Sequence, residues 1–342
     1  NYYGQNMAMK TPILSYFPQH ELEEKETEWT VYGSLCTVAD ILLKKLVLKD
    51  ARVGDYLVFH NIGAYSVTEG IYMDKAKPSV HLDTDSIPFT GKGVGIAVLD
   101  TGLSPSADFT SPYNRIVVFH DFVNGIPNCY DNNGHGTHVC GIACGNGRLS
   151  DGRYSGIAPN ANLIVLKILD RYGKGNASTA LKAIKWLIYN RKRYNIRIAN
   201  MSVGTSDRTI NSLLVRTMYE AWDNGICIVA ADGNIGSGNS SIVSAGINRK
   251  IITVGNSASP SFSCDVTAPG NNIVSCMSEN YSFGFHGRSH KKIVSPHYIM
   301  MSGTSMSTPI VSGAAALLIE KYPSITPSEI KQRIIMTADY NR

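Results

Sequence analysis

Ser305 stands in the run Gly303-Thr304-Ser305-Met306-Ser307-Thr308-Pro309, small polar residues leading into Val311, Gly313, Ala314 to Ala316 and Leu317. That continuation predicts a thin, buried helix with the serine at its N-terminus. Unpaired amides and the positive end of the helix dipole gather there, and both stabilise negative charge forming on a bound carbonyl. A serine hydroxyl is a poor nucleophile at neutral pH until a base removes its proton. His135, in Asn133-Gly134-His135-Gly136-Thr137-His138-Val139, offers the imidazole: its flanking glycines let backbone approach a substrate, and the residues after it open a helix. Asp100 closes the apolar stretch Val94 to Leu99 and precedes Thr101-Gly102. A carboxylate at the carboxyl end of a buried parallel strand is where such sheets place their chemistry, and here it would hold the imidazole in one tautomer.

The elements that must position these residues follow from residue 92 onward, where short apolar runs alternate with helical periodicity. Val94 to Leu99, Asn162 to Leu169, Ile198 to Val203, Ile226 to Ala231 and Ile251 to Val254 read as strands. Ala177 to Arg191 and Ile210 to Asn224 carry apolar residues at spacings of three and four, as amphipathic helices do. Further helices are expected from about Thr304 to Lys321, before Pro323, and from Pro327 to Ala338. The β-α-β alternation predicts an α/β domain in which a mostly parallel sheet is covered on both faces. Residues 1–85 differ, with extended apolar pieces such as Tyr56 to His60 and a turn-rich stretch at Gly63; they read as a small, mainly β unit joined to 86–342 near Asp83 to Pro88.

Composition limits the function classes. The chain has 342 residues, 43% of them apolar and 17% charged, and a net charge of +5. No apolar run approaches the roughly 18 residues of a membrane span, so no membrane role is expected. The basic residues are scattered apart from Arg191 to Arg193, which argues against a nucleic-acid partner. Seven cysteines, an odd number with several inside apolar or glycine-rich stretches, read as reduced packing thiols. Residues 1–20 have no basic start followed by a long apolar stretch, and with the thiols this makes a cytoplasmic location the expectation.

An Asp-Thr-Gly after a strand also fits one half-site of an aspartic peptidase, but no second copy exists. The blocks Asp100-Thr101-Gly102, His135-Gly136-Thr137-His138 and Gly303 to Pro309, in that chain order, resemble the three signatures of the subtilisin family of serine peptidases. The likeness spans about residues 90–340 and implies a subtilisin-like three-layer fold and endopeptidase activity on extended polypeptide. By the same resemblance, Asn234 in Ala230-Ala231-Asp232-Gly233-Asn234 completes an oxyanion hole. Ser202-Val203-Gly204 and Gly173-Lys174-Gly175 are then the two edges that hold a substrate strand between them. Tyr113 to Asn124, Gly145 to Gly156 and Tyr172 to Gly175 are most similar to the intracellular branch. No cofactor is implied for the chemistry. Calcium is implied as a structural ion at Asp108 and the Gly145 to Gly156 loop, which offers Asn146 and Asp151, while the identity of any metal site stays unknown.

Some features depart from that family. Ser259 to Asp265 replaces a longer stretch that frames the substrate pocket, Asp232 stands where a small apolar residue is usual, and the expected proline near Ala245 is absent. An impaired peptidase that grips peptides without cutting them is the rival implied by these changes. His286, His290 and His297 read as surface residues, not metal ligands. Residues 1–85 resemble the carboxy-terminal part of pyridoxal-phosphate decarboxylases of the ornithine and diaminopimelate type, through Asn1 to Gln5, the Cys36 segment and Gly63-Ala64-Tyr65. The lysine-bearing barrel of those enzymes is missing, so decarboxylation is not expected. Two roles for the segment stand side by side: a pro-region or lid, or the remnant of a fusion.

Overall fold

The computed structural model describes residues 89–205, 211–232, 240–241, 250–258, 264–281 and 292–337, together with the strands in 14–17, 26–32, 41–49 and 56–59. The chain divides into two units, residues 1–82 and 83–340, with Asn341 and Arg342 assigned to the first and second respectively. In the first, β1 (Leu14–Phe17) pairs antiparallel with β4 (Tyr56–Phe59), and β2 (Glu26–Tyr32) pairs antiparallel with β3 (Ile41–Lys49). Cys36 and Tyr65 lie outside the described residues.

The second unit begins with β5 (Gly95–Asp100), the short α1 (Ala107–Thr110), β6 (Ile116–Asp121) and α2 (His135–Cys144). There follow β7 (Asn162–Lys167), α3 (Ala177–Asn190), β8 (Ile196–Met201), β9 (Gly204–Thr205), α4 (Asn211–Asp223) and β10 (Cys227–Ala231). Short strands come next: β11 (Ser240–Ser241), β12 (Ile252–Asn256), β13 (Val266–Ala268), β14 (Ile273–Cys276), β15 (Ile293–Ser295) and β16 (Tyr298–Met301). The long α5 (Thr304–Lys321) and α6 (Pro327–Thr337) close the series.

Seven strands form one sheet in the order β13-β12-β10-β8-β5-β7-β6, with every neighbouring pair parallel. All six residues of β5 are buried, as are all five of β10 and of β12. Alternate side chains on a strand point to opposite faces, so both faces of the sheet are covered. Helices α2 and α5 pack on each other and on the central strands, and α3 and α4 form a second packed pair against the sheet. This is the layered α/β arrangement expected, and the strand and helix bounds fall within two residues of those read from periodicity wherever the residues are described. Edge strand β6 escaped that reading because it is only half-buried and mixes His120 and Asp121 with its apolar residues. The antiparallel sheet β14-β16-β15 escaped it too, its strands being only three or four residues long.

Parallel register fixes the working end of the sheet. Asp100 is the last residue of β5 and pairs with Lys167, the last residue of β7, so both side chains emerge at the carboxyl edge. Met201 ends neighbouring β8 and hands the chain to Ser202 and Val203.

Candidate active site

Asp100 is fully buried, and its Oδ1 lies 2.8 Å from Nδ1 of His135, which opens α2 and is about a quarter exposed. The same oxygen accepts the backbone N–H of Thr101 at 2.7 Å. Among the described residues Asp100 Oδ2 has no hydrogen-bond partner. A carboxylate held this way fixes the ring orientation and places the Nδ1 proton, leaving Nε2 as the nitrogen to act as a base.

A second acid, which the sequence reading passed over, holds the loop that presents His135. Asp131 is fully buried. Its Oδ1 accepts from Thr101 Oγ1 at 2.9 Å, Asn133 N at 3.0 Å and Gly134 N at 2.9 Å, and its Oδ2 accepts from Thr137 N at 2.9 Å and Thr137 Oγ1 at 2.7 Å. It therefore satisfies the amide of the N-cap residue Gly134 and the orphan amide of Thr137 in the first turn of α2, and it complements the helix dipole. Thr101 Oγ1 in turn accepts from Gly136 N at 2.8 Å. The residue after Asp100 is thereby tied to residues on both sides of His135. This approach needs glycine: a Cβ on Gly136 would meet the Gly102 carbonyl oxygen at 2.3 Å.

Lys167 sits beneath this loop, fully buried, donating to Thr101 O at 2.5 Å, Leu169 O at 2.8 Å and Asn132 Oδ1 at 3.1 Å. Burial pulls its pKa down, and the negative field of Asp131 is the largest influence opposing that.

Ser305 lies in the first turn of α5 and is partly exposed. Its Oγ donates to the carbonyl of Ser202 at 3.1 Å, and Ser202 Oγ donates to the carbonyl of Ser305 at 3.0 Å. Asn200 Nδ2 donates to Ser202 Oγ at 3.0 Å, while Ser312 Oγ donates to Asn200 Oδ1 at 2.8 Å. The start of α5 is thus pinned to the end of β8, where Ser202-Val203-Gly204 was expected to hold substrate. Val203 is buried, and Gly204 pairs with Ser241 in the β9–β11 ribbon. Gly173-Lys174-Gly175 forms an exposed turn held by Asp170 Oδ1, which accepts from Tyr172 N at 2.8 Å and Lys174 N at 2.9 Å. Asn133 Nδ2 donates to Arg171 O at 3.0 Å and links that turn to the histidine loop.

His138, one turn beyond His135, is fully buried. Its Nε2 lies 3.1 Å from both Ile273 O and Ile299 O, and Nδ1 has no partner among the described residues. Burial, followed by repulsion from His135, pushes its pKa down to about 3, so it is a neutral packing residue. The shortened segment ends on Asp265, whose Oδ2 accepts from Thr253 N and Thr253 Oγ1, each at 2.8 Å, while its Oδ1 meets Lys331 Nζ at 2.8 Å. Asn234, residues 259–263, Ala245, His286 and His290 lie outside the described residues; His297 is exposed.

Calcium does not fit the position implied for it. Asp108 is fully buried, and both of its carboxylate oxygens are engaged by protein donors: Leu149 N at 2.8 Å on Oδ1, and Tyr298 OH at 2.6 Å with Cys276 Sγ at 3.3 Å on Oδ2. The loop oxygen Asn146 Oδ1 takes the Arg148 amide, and the Gly147 carbonyl takes the amides of Ser150 and Gly152. A calcium ion requires six to eight converging oxygens, and these are turned elsewhere.

A parallel α/β sheet with a buried aspartate on a histidine at its carboxyl edge, and a serine opening the adjacent helix, agrees with what comparison with known proteins gives. Residues 91–342 match the Subtilase family, and the chain belongs to it. Residues 3–63 match the C-terminal sheet domain of pyridoxal-dependent decarboxylases. The chain is 40% identical over 272 residues to Serine protease AprX of Bacillus subtilis (strain 168), covering 71% of this chain and 60% of that protein. It is 34% identical to Subtilisin Savinase of Lederbergia lenta, covering 80% and 92% respectively. Among solved structures, Sphericase superposes with a TM-score of 0.60 at 28% identity, covering 72% of this chain and 84% of that one. The chain spans about 60% of the length of the first curated relatives it matches.

Proposed function

We propose that this chain is a serine endopeptidase that hydrolyses peptide bonds in extended polypeptide. Ser305 Oγ attacks the scissile carbonyl carbon, His135 Nε2 takes its proton and later delivers it to the leaving amine, and Asp100 orients the ring and stabilises the imidazolium that forms. The backbone amide of Ser305 and the side chain of Asn234 receive the oxyanion. Ser202-Val203-Gly204 and Gly173-Lys174-Gly175 hold the substrate backbone as an added strand.

The observation that carries this reading is the 2.8 Å contact between the fully buried Asp100 and Nδ1 of His135. A buried carboxylate beside a partly exposed imidazole has no packing advantage over an apolar pair. It does have a use when that imidazole must become charged in passing. The second support is the mutual Ser202–Ser305 hydrogen bonding, which sets the nucleophile beside the strand end that would take substrate. The names of the relatives agree. Work in the cytoplasm belongs to the same reading, supported by the odd cysteine count and by four thiols, Cys140, Cys144, Cys227 and Cys276, that are buried and uncombined.

Incubation of the full chain with unfolded casein and mass-spectrometric reading of the products tests it. Internal cleavage by the wild type, its loss in Ser305→Ala, and a loss of about 10⁴-fold in turnover in Asp100→Asn are expected. A folded wild type that binds the substrate and leaves it uncut would refute the proposal.

A further inference from the structure

Arg115 is among the largest fully buried side chains of the described residues, and none of the chemistry above uses it. Its guanidinium meets three backbone carbonyls from three separate segments. Nη1 donates to Cys144 O, the last residue of α2, at 2.6 Å and to Ala161 O, just before β7, at 3.3 Å; Nη2 donates to Asp108 O in α1. Cys144 O belongs to the negative end of the α2 dipole, where a cation is favoured. Burial pulls the pKa of the guanidinium down from its ordinary value, and the charge of Asp108 is among the influences that oppose this.

Around that cation the cluster is closed by hydrogen donors. The phenol of Tyr298 and the thiol of Cys276 both have pKa values raised by burial, so both keep the protons they give to Asp108 Oδ2. Leu149 N on Asp108 Oδ1 and Asn146 N on Asp108 O, at 3.1 Å, bring the 145–156 loop onto the same residue. Asn146 Nδ2 adds a bond to Ser111 O at 2.6 Å. A guanidinium is permanently charged and offers five donors in a rigid fork, which suits it to convergent carbonyls. A divalent ion brought here would face that fixed positive charge and would have to displace protein donors from both oxygens of Asp108.

We propose that Arg115 is the resident cation of this cluster: it ties α1, the end of α2 and the residue before β7 together, so that Asp108 holds the 145–156 loop independently of calcium. Because α2 begins with His135 and ends on the carbonyl that Arg115 holds, the same contact anchors the far end of the helix that presents the imidazole.

Hydrogen–deuterium exchange read by mass spectrometry on the full chain tests this, in the Ser305→Ala background so that self-cleavage cannot interfere. Exchange of peptides from 145–156 is expected to be the same in a calcium chelator and in millimolar calcium, and to rise at least about tenfold in Arg115→Met. Slower exchange of the loop in calcium would overturn the proposal, as would a folded Arg115→Met whose loop exchanges like the parent. Calcium-dependent change confined to other peptides marks an ion bound elsewhere and leaves the proposal standing. If Arg115→Met does not fold, the comparison of calcium with chelator in the parent still decides. A tight ion at this loop, present at a hundredfold excess over its dissociation constant, would also raise the melting temperature by about 5 to 10 °C, and no rise assigned to this loop is expected.

Discussion

Replacing Asp131 by asparagine removes one acceptor atom and one charge while keeping the shape of the side chain. The amide oxygen can keep the three-donor position now filled by Oδ1, which serves Thr101 Oγ1, Asn133 N and Gly134 N. The amide nitrogen then faces the N–H of Thr137, donor against donor, where Oδ2 now accepts at 2.9 Å. The Thr137 hydroxyl can turn, but it already accepts from Ser104 N at 2.9 Å, and the Thr137 amide is left buried without a partner. One such orphan costs about 1 to 3 kcal/mol. Loss of the field that favours the ammonium of buried Lys167 acts in the same direction. The expected fall in stability is about 2 to 4 kcal/mol, read as a shift of the urea midpoint at unchanged slope in the Ser305→Ala background. Activity falls as well, because Thr137, two residues after His135 in the first turn of α2, loses the amide bond that anchors that turn to Asp131, and a misplacement of about 1 Å can cost about 100-fold. With Ser305 intact, turnover of a short chromogenic peptide should drop about 10- to 100-fold while KM stays near the parent value, since Asp131 contacts neither proposed substrate edge. An Asp131→Asn enzyme within 0.5 kcal/mol of the parent and equally fast would show that the five hydrogen bonds do not position the histidine loop.

His138 makes stability depend on pH. Its folded pKa of about 3 lies below its ordinary value near 6.5, so the unfolded chain binds the extra proton; the stabilisation is full above pH 6.5 and is lost as pH falls toward 3. Urea unfolding at pH 7 and pH 5 should differ by about 2 kcal/mol more in the parent than in His138→Gln, and identical pH dependence in the two would sink the assignment. Gly102 has a φ of +123°, and a Cβ there would meet the Tyr130 carbonyl oxygen at 2.2 Å. Gly102→Ala should therefore lose about 3 kcal/mol or more by urea unfolding, and a loss under about 1 kcal/mol would contradict the strain.

The proposed nucleophile, base and orienting acid were legible because each sits at an element boundary with its own local pattern: Asp100 at a strand end, His135 between glycines, Ser305 before a small-residue helix. Asp131 was not, since an acid in Asp131-Asn132-Asn133-Gly134 reads as turn chemistry; its role depends on Thr101, thirty residues away in the chain. Lys167 reads as the polar end of an apolar strand, and only the pairing of β7 with β5 sets it beneath Asp100. Asn200 and Ser312 are equally plain in isolation, and they meet only when α5 crosses the end of β8. Helix α2 gave no amphipathic signal because every residue after His135 is buried. The calcium expectation rested on the family resemblance at Asp108 and on Asn146 and Asp151 of the 145–156 loop; what the sequence could not display was Tyr298, Cys276 and Arg115 arriving from distant segments to engage Asp108.

The central assignment, a serine activated through His135 and Asp100, is tested most directly by treating the full chain with a fluorophosphonate and locating the adduct by mass spectrometry. A single adduct on Ser305, absent in Ser305→Ala and slowed by at least about 1,000-fold in His135→Ala, is the expected result. A folded wild-type chain that stays unlabelled, or one labelled at another serine with Ser305 untouched, would contradict it.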